Sequence, residues 1–505
     1  MNRICLTLIA LVLFLNSLIL QAQPTDSIKY IFALEDVIQL AKEQSLEAIM
    51  ARHSFRADYF NFRAYKANYL PKLILTTNPF SYDHSIRTIQ SVDEDGKFQT
   101  RQTTVNMLSS NAELSLSQNI GLTGGSVSLG SEFSREQNLD DDSETGTQYK
   151  SSPIALTFKQ PLNGYNAFKW EKKIEPAMYD QAKQSYIASM EQVSSNAVLY
   201  FFALAEAQIK LNMAQTNYAN SKELYELSQG RYNIGTIAED ALLQMELKYM
   251  QAESKLNSAK IDIERSLNRL RSFLGFKDNV VIQLQINPNI PNFKVSYDKA
   301  LDYALTRSPD IISYNIDLLE AERKVALAKS QKGITMDLDV SFGLNKTGYD
   351  LKNAYTPRFD DREGVSIGVR VPILDWNQAK DRYRNAQSNL EVVQTRKQQR
   401  ETDFRQDVYL QVMNFNMQET QLRITAKADT IAQKGYEVSR QRYLIGKVSV
   451  TDLNIADADK DEAKVDYITQ LRTFWSLYFT VRRLTLFDFL NNKPLEEDFD
   501  KIVGE

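Results

Sequence analysis

Apolar residues recur along this chain in two rhythms. In the first, Met190, Val193, Ala197, Tyr200, Leu204, Ala207, Leu211, Ala214 and Tyr218 alternate steps of three and four, the seam of a heptad helix. Tyr249, Ala252, Leu256, Ala259 and Ile263 repeat that rhythm in the next segment. The residues between are mostly Gln, Asn, Ser, Lys and Glu, so these helices pack along narrow stripes and keep wide polar faces. In the second rhythm every other residue is apolar: Ile154, Leu156 and Phe158; Leu338, Val340, Phe342 and Leu344; Val365, Ile367, Val369 and Val371. Such alternation predicts strands with one apolar and one polar face. Leu114–Gln118 and Val127–Phe133 read as two further strands joined across Gly121–Gly125, a hairpin turn rather than a phosphate cradle because a strand follows it.

The positions of the helix breakers extend this picture. Glu35–Leu70, Ala177–Gln229, Thr236–Leu274, Ile373–Lys434 and Lys447–Lys493 contain neither Gly nor Pro. As one helix, Ile373–Lys434 would extend about 90 Å at ~1.5 Å per residue. The segments also repeat. Tyr225–Gly235 (YELSQGRYNIG) matches Tyr436–Gly446 (YEVSRQRYLIG), and Ile154–Leu162 matches Val365–Ile373, both at an offset of 211 residues. A shared offset means that the helix between the two matches has the same length in both copies. Phe32–Ile49 resembles Val295–Ile312 at an offset of 263, so the first copy carries 52 extra residues in its strand region. The chain reads as two copies of one unit: helix, strands, long helix, tight turn, long helix.

Composition narrows the chemistry. Gly (18) and Pro (12) are scarce among 505 residues, as long uninterrupted elements require. A formal net charge of −4 argues against nucleic acid. Two histidines, His53 in a helix and His84 in a loop-like segment, and one cysteine leave little for metal, cofactor or nucleophile chemistry, so no enzyme is expected. Acidic pairs such as Asp141-Asp142 and Asp360-Asp361 fall in predicted loops. Met1–Gln23 has a basic Arg3, an apolar Ile4–Leu15 and a small-residue cleavage region, the build of a signal peptide, and Cys5 lies within it. No later stretch reaches the ~20 apolar residues of a membrane helix, so membrane residence requires a barrel. Lipid outside and water inside then explain the two-faced strands.

This duplicated order behind a signal peptide resembles the TolC family of outer-membrane channel proteins. The residues that carry the likeness are the Arg-Tyr-x-x-Gly turns at Arg231–Gly235 and Arg442–Gly446 and the strand-ending Pro161 and Pro372. It covers about Ile28 to Leu490. The resemblance implies a mainly α protein with a membrane β-barrel portion: a homotrimer whose α-barrel crosses the periplasm of a Gram-negative bacterium and whose barrel, of twelve strands in that family, sits in outer-membrane lipid. The expected organisation is a signal peptide at 1–23 and a first repeat at 24–290, with strands about 72–160 and a turn near 230–235. A second repeat follows at 291–490, with strands about 334–372 and a turn near 446, and then a tail at 491–505. The surplus in the first repeat would raise the strand count to six per chain, either widening the barrel or folding over its mouth.

The implied function is the channel component of a tripartite efflux pump or type I secretion system, a passive conduit without cofactor. Its partners would be a periplasmic adaptor and an inner-membrane RND or ABC-type transporter. Arg231, Tyr232, Gly235, Arg442, Tyr443 and Gly446 would form adaptor-docking turns. Asp452, six residues after Gly446, matches a pore-constricting aspartate of the family, although it also suits a helix N-cap. The next acidic position of the family is Ile455 here. Tyr165 and Trp376, each four residues after its proline, would lie at the membrane interface. The competing expectation is an exported periplasmic coiled-coil scaffold without a pore, which needs no lipid-facing strands.

Overall fold

The computed structural model describes residues 28–92, 98–140, 146–276, 280–287, 291 and 293–504. The expected leader Met1–Gln23 and the pair Asp141-Asp142 lie outside the described residues. The chain opens with strand Ile28–Phe32 (β1) and helices Leu34–Gln44 (α1) and Leu46–Ala67 (α2). Strands Lys72–Val92 (β2), Phe98–Ile120 (β3), Gly125–Asn138 (β4) and Thr147–Pro161 (β5) follow. Helices Ala167–Asn233 (α3) and Glu239–Leu274 (α4) then lead to strand Val280–Leu284 (β6). The second half runs through Tyr297–Arg307 (α5), Pro309–Ser330 (α6), Thr335–Gly348 (β7), the short Leu351–Ala354 (α7), Asp360–Arg370 (β8), Gln378–Leu444 (α8) and Val450–Thr485 (α9). Two-residue strands Phe487–Asp488 (β9) and Lys493–Pro494 (β10) and helix Phe499–Val503 (α10) close it.

Helix lengths repeat at the offsets seen in the sequence. α3 and α8 both have 67 residues, and α4 and α9 both have 36. α1 and α5 have 11 each, and α2 and α6 have 22 each. The breaker-free run Glu35–Leu70 is nevertheless not one helix. Ser45 adopts extended backbone (φ −65°, ψ 149°), and its buried Oγ accepts from the Ala48 amide at 3.1 Å, which starts α2 anew. Ser308, its counterpart, is also buried and takes the same extended backbone (φ −61°, ψ 131°) ahead of Pro309. The first break has a capping serine but no proline to announce it. In the opposite sense, α3 starts nine residues before Pro176 and runs through it, with Asn166 Oδ1 accepting from the Lys169 amide.

The chain divides into two compact units, each drawing on both halves of the sequence. One comprises Met1–Ser54, Ser185–Ser308 and Arg405–Asp498, and the other Phe55–Gln184, Pro309–Phe404 and Phe499–Glu505. In the first, part of the predicted seam is core: Met190, Val193, Ala197, Leu204 and Ala207 of α3 and Ala252 and Ala259 of α4 are buried, while Tyr200, Leu211, Ala214, Tyr218, Tyr249, Leu256 and Ile263 are half-buried. The parallel pair β1–β6, which no periodicity predicts in strands of five residues, belongs to the same unit. The second unit holds a single six-stranded antiparallel sheet in the order β2-β3-β4-β5-β7-β8. His84, expected in a loop, lies in β2 with Nδ1 2.6 Å from Asn106 Oδ1, since β2 and β3 extend far beyond the short apolar stretches that signal them.

Candidate conduit surfaces and helical turns

Register aligns the alternating residues of the sheet into continuous rows. Leu73, Leu116, Leu129, Leu156 and Phe342 stand opposite one another in turn on five strands. The next row on that face is Val127, Phe158, Val340 and Val365. These side chains are exposed in large part, Leu73 at 66% and Val365 at 73%. On the other face one row reads Lys72, Ser117, Ser128, Thr157, Ser341 and Gly364. A sheet with a wide bare apolar face and a polar reverse divides a lipid phase from an aqueous one.

The two expected interface aromatics differ. Trp376 is 83% exposed on left-handed backbone (φ 51°) beside the exposed Ile373 and Leu374, in a loop held by Asp375, which accepts from the Asn377 and Ala379 amides. Tyr165 is half-buried at the approach to α3.

In the first unit, the turns joining α3 to α4 and α8 to α9 are built alike. Gly235 (φ 74°) and Gly446 (φ 73°) take the left-handed conformation. The Thr236 amide donates to Arg231 O and that of Lys447 to Arg442 O, closing the same helix-terminal loop twice. No atom lies within 4 Å of a Cβ added at either glycine, so backbone conformation alone selects glycine there.

The Arg-Tyr pairs of the two turns have nevertheless exchanged roles. Arg231 donates to Leu444 O at 3.1 Å and lies 5.9 Å from the Tyr443 ring centroid, whereas its counterpart Arg442 is exposed. Tyr443 is buried with Leu224, Met245 and Leu453, whereas its counterpart Tyr232 is exposed. The Arg-Tyr motif thus splits into a brace, Arg231 and Tyr443, and an outer pair, Tyr232 and Arg442. A groove of about 590 Å³ lined by Arg231, Gln244, Tyr443, Gly446 and Ser449 runs beside them.

Asp452 is not the N-cap of α9. Ser449 is, and Asp452 is its capping-box partner: the Asp452 amide donates to Ser449 Oγ, and the Ser449 amide and hydroxyl donate to Asp452 Oδ2. Those bonds from Ser449 hold the carboxyl below its ordinary pKa. Ile455, three residues on, is exposed.

Two features escaped the sequence reading. The first is a half-buried charge cluster between helices, in which Asp457 meets Lys460 at 2.9 Å and Lys248 at 3.1 Å. Lys460 also donates to Asn217 and lies 4.1 Å from the Tyr436 ring centroid. Burial pushes the Asp457 carboxyl up, but Lys460 and Lys248 outweigh it and leave the pKa lowered. Burial alone would lower Lys460, and Asp457, with Asp461 and Tyr436 beside it, raises it instead. Charged residues of opposite sign three apart are common on helices, so nothing in the sequence marks this pair as enclosed. The second is a stripe on α8: Leu410, Met417, Ile424, Ile431 and Val438 recur every seven residues and are all 48–64% exposed. Its constant step was legible; that its face stays exposed among the described residues was not.

Long heptad helices closed by glycine turns, together with a sheet that has one bare apolar and one polar face, define a channel-type protein of the outer membrane. Residues 123–276 and 300–472 match the outer membrane efflux protein family, and the chain belongs to that family. Nodulation protein T of Rhizobium leguminosarum bv. trifolii is 22% identical over 285 residues, which are 55% of this chain and 58% of that protein, so the match spans less than two thirds of the relative's length. Among solved structures, the Campylobacter jejuni CmeC outer membrane channel is similar with a TM-score of 0.65 at 16% identity, over 93% of this chain and 88% of that one. VceC of Vibrio cholerae gives 0.61 at 12% identity, over 92% and 97%. The open state of the Neisseria gonorrhoeae MtrE outer membrane channel gives 0.58 at 13% identity, over 92% and 91%. At these identities the likeness is one of fold, and the fold class read from the sequence is that of these channels.

Proposed function

We propose that three copies of this chain form a passive conduit across the outer membrane and periplasm, the channel component of a tripartite efflux pump or type I secretion system. The observation that carries the reading is the six-stranded sheet, with its continuous bare apolar face and polar reverse, in a chain of the efflux family. A pore-less scaffold has no use for that face. The heptad stripe of α8 supports self-association, because a bare apolar seam at a step of seven is what a neighbouring helix packs against.

In this reading the repeats are 24–290 and 291–490, supported by the equal helix lengths. Tyr232 and Arg442 contact a periplasmic adaptor, and Arg231, Tyr443, Gly235 and Gly446 hold the turns in shape. An adaptor would couple the channel to an RND or ABC-type transporter that supplies the energy. Asp452 and Ile455 are the gate candidates, and a ring of Asp452 carboxylates would favour cations. Trp376 and Tyr165 border the lipid-facing belt.

Fractionation of the native chain, with native mass spectrometry and single-channel recording, tests the reading. Expected are outer-membrane recovery, a heat-modifiable mass of three chains and conductance in planar bilayers. A soluble periplasmic monomer would overturn it.

A further inference from the structure

The sheet of one chain is open at both ends. Its outermost strands, β2 and β8, each pair on one side only. Unpaired edges in lipid leave amide and carbonyl groups unsatisfied at a cost of several kcal/mol each, so a spanning sheet has to close. Three features of register bear on the closure.

The first is the position of the first hairpin. β2 and β3 are not folded across the others: β3 pairs with β4 from Met107–Asn138 to Ile120–Gly125, and β2 pairs with β3 from Lys72–Ser117 onward. Both are therefore full members of the wall.

The second is stagger. In the row Lys72, Ser117, Ser128, Thr157, Ser341, Gly364, β2 begins at the row itself, β5 runs four residues past it to Pro161, and β8 runs six residues past it to Arg370. Strand ends thus step by six residues across six strands, about one residue per strand. That ratio of shear to strand number gives a tilt of about 36° in the eight-stranded case, within the ~35–45° usual for barrels.

The third is parity. Both edges run antiparallel when a second copy is placed with its Lys72 level with Arg370. Val369 then faces Leu73 and Ile367 faces Leu75, apolar on apolar, while Ser366 faces Thr76 on the polar side. A slip of one residue would turn every apolar side chain of one strand to the wrong face. The β2–β3 ladder is interrupted by a bulge between Asn78 and Ser81, where Pro79 has no amide to donate, and resumes at Ser81–Ser109.

We infer that β2 of one chain pairs with β8 of the next, so that three chains close a barrel of eighteen strands, six from each. This rests on the trimeric conduit proposed above. It makes the lipid-embedded wall roughly 1.5 times the diameter of a twelve-stranded one, because diameter grows about linearly with strand number. Barrels of that count leave an open aqueous lumen.

Cysteine cross-linking of the full chain in outer membranes tests the inference, and the single natural cysteine, Cys5, lies in the expected leader. Thr76→Cys is combined with Gly364→Cys, Ser366→Cys or Gly368→Cys, and in a control Ser128→Cys is combined with Ser366→Cys. The expected result is a ladder of two and three linked chains, strongest for Thr76→Cys with Ser366→Cys, and no link from the β4 control. Eighteen strands should also be countable in a cryo-EM map of the native assembly. Linking of β4 to β8, or no link from any β2 pair while native mass still gives three chains, overturns the inference and leaves the trimer standing. A native mass other than three chains defeats the trimer and with it the count of eighteen, whereas the β2–β8 link is read independently from the gel.

Discussion

Arg482 Nε lies 2.7 Å from Glu191 Oε2, and that carboxylate, on a residue only 1% exposed, also takes Lys42 at 2.9 Å. The arginine reaches on to Asp488 at 3.1 Å, and the Tyr478 hydroxyl donates to the same aspartate. Two cations and two carboxylates from α1, α3, α9 and β9 thus share one buried site. Burial alone would lower the arginine's pKa, and Glu191 and Asp488 raise it instead. Arg482→Gln removes the cation that two buried carboxylates share, leaving Glu191 with Lys42 and Asp488 with neutral donors, and should cost about 3–5 kcal/mol. The measurement is the urea midpoint in detergent at unchanged m-value; a loss below about 1 kcal/mol would count against a structural role for the cluster.

The Asp457 cluster predicts two limits of pH stability. A lowered carboxyl pKa contributes stability above the unfolded value, ~3.9, and loses it as pH falls through the folded value. A raised Lys460 contributes below ~10.4 and loses it as pH rises through its folded value. The contribution is therefore constant across neutral pH. In Asp457→Asn the melting temperature should be lower at pH 7 and should fall less steeply below about pH 4 than in the native chain; parallel acid limbs would refute the assignment.

The exchanged roles at the two turns allow stability and the proposed docking to be tested separately. Arg231→Ala removes a charged hydrogen bond to Leu444 O and should cost about 1.5–3 kcal/mol. Arg442→Glu should leave the melting temperature within about 1 °C, as surface substitutions do, yet reduce efflux and adaptor capture. Gly446→Leu forces a branched side chain onto φ 73° and should impair both, at roughly 1–2 kcal/mol. Equal loss of stability in the two arginine variants would dissolve the distinction.

Ile424→Glu combined with Ile431→Glu places charge on the bare stripe of α8. Circular dichroism should be unchanged, since neither side chain is buried within the chain. Light scattering should show monomers in place of the proposed trimers, and an intact trimer would remove the stripe from the interface.

Much of this architecture was legible because its periods are long and its repeats keep register. The offset of 211 shared by the Ile154–Leu162/Val365–Ile373 and Tyr225–Gly235/Tyr436–Gly446 matches required α3 and α8 to be equal, and both have 67 residues. The break at Ser45 was hidden because a capping hydroxyl ends a helix as surely as proline does, and serine is common elsewhere. Strand lengths were hidden as well: beyond Ser81, β2 is rich in Ser, Thr and Gln and is held by its ladder to β3 rather than by an apolar face. At the turns the motif was readable in both copies. The inward side chain was not, because Tyr232 and Tyr443 are the same residue type and only packing against Met245 and Leu453 separates them.

That separation bears on stoichiometry. Three chains would present six turns, but of two alternating kinds, one with an outward tyrosine and one with an outward arginine. A ring of six identical partners would then meet its targets in two unlike poses, whereas a ring of three could read each aromatic–cationic couple as one composite address.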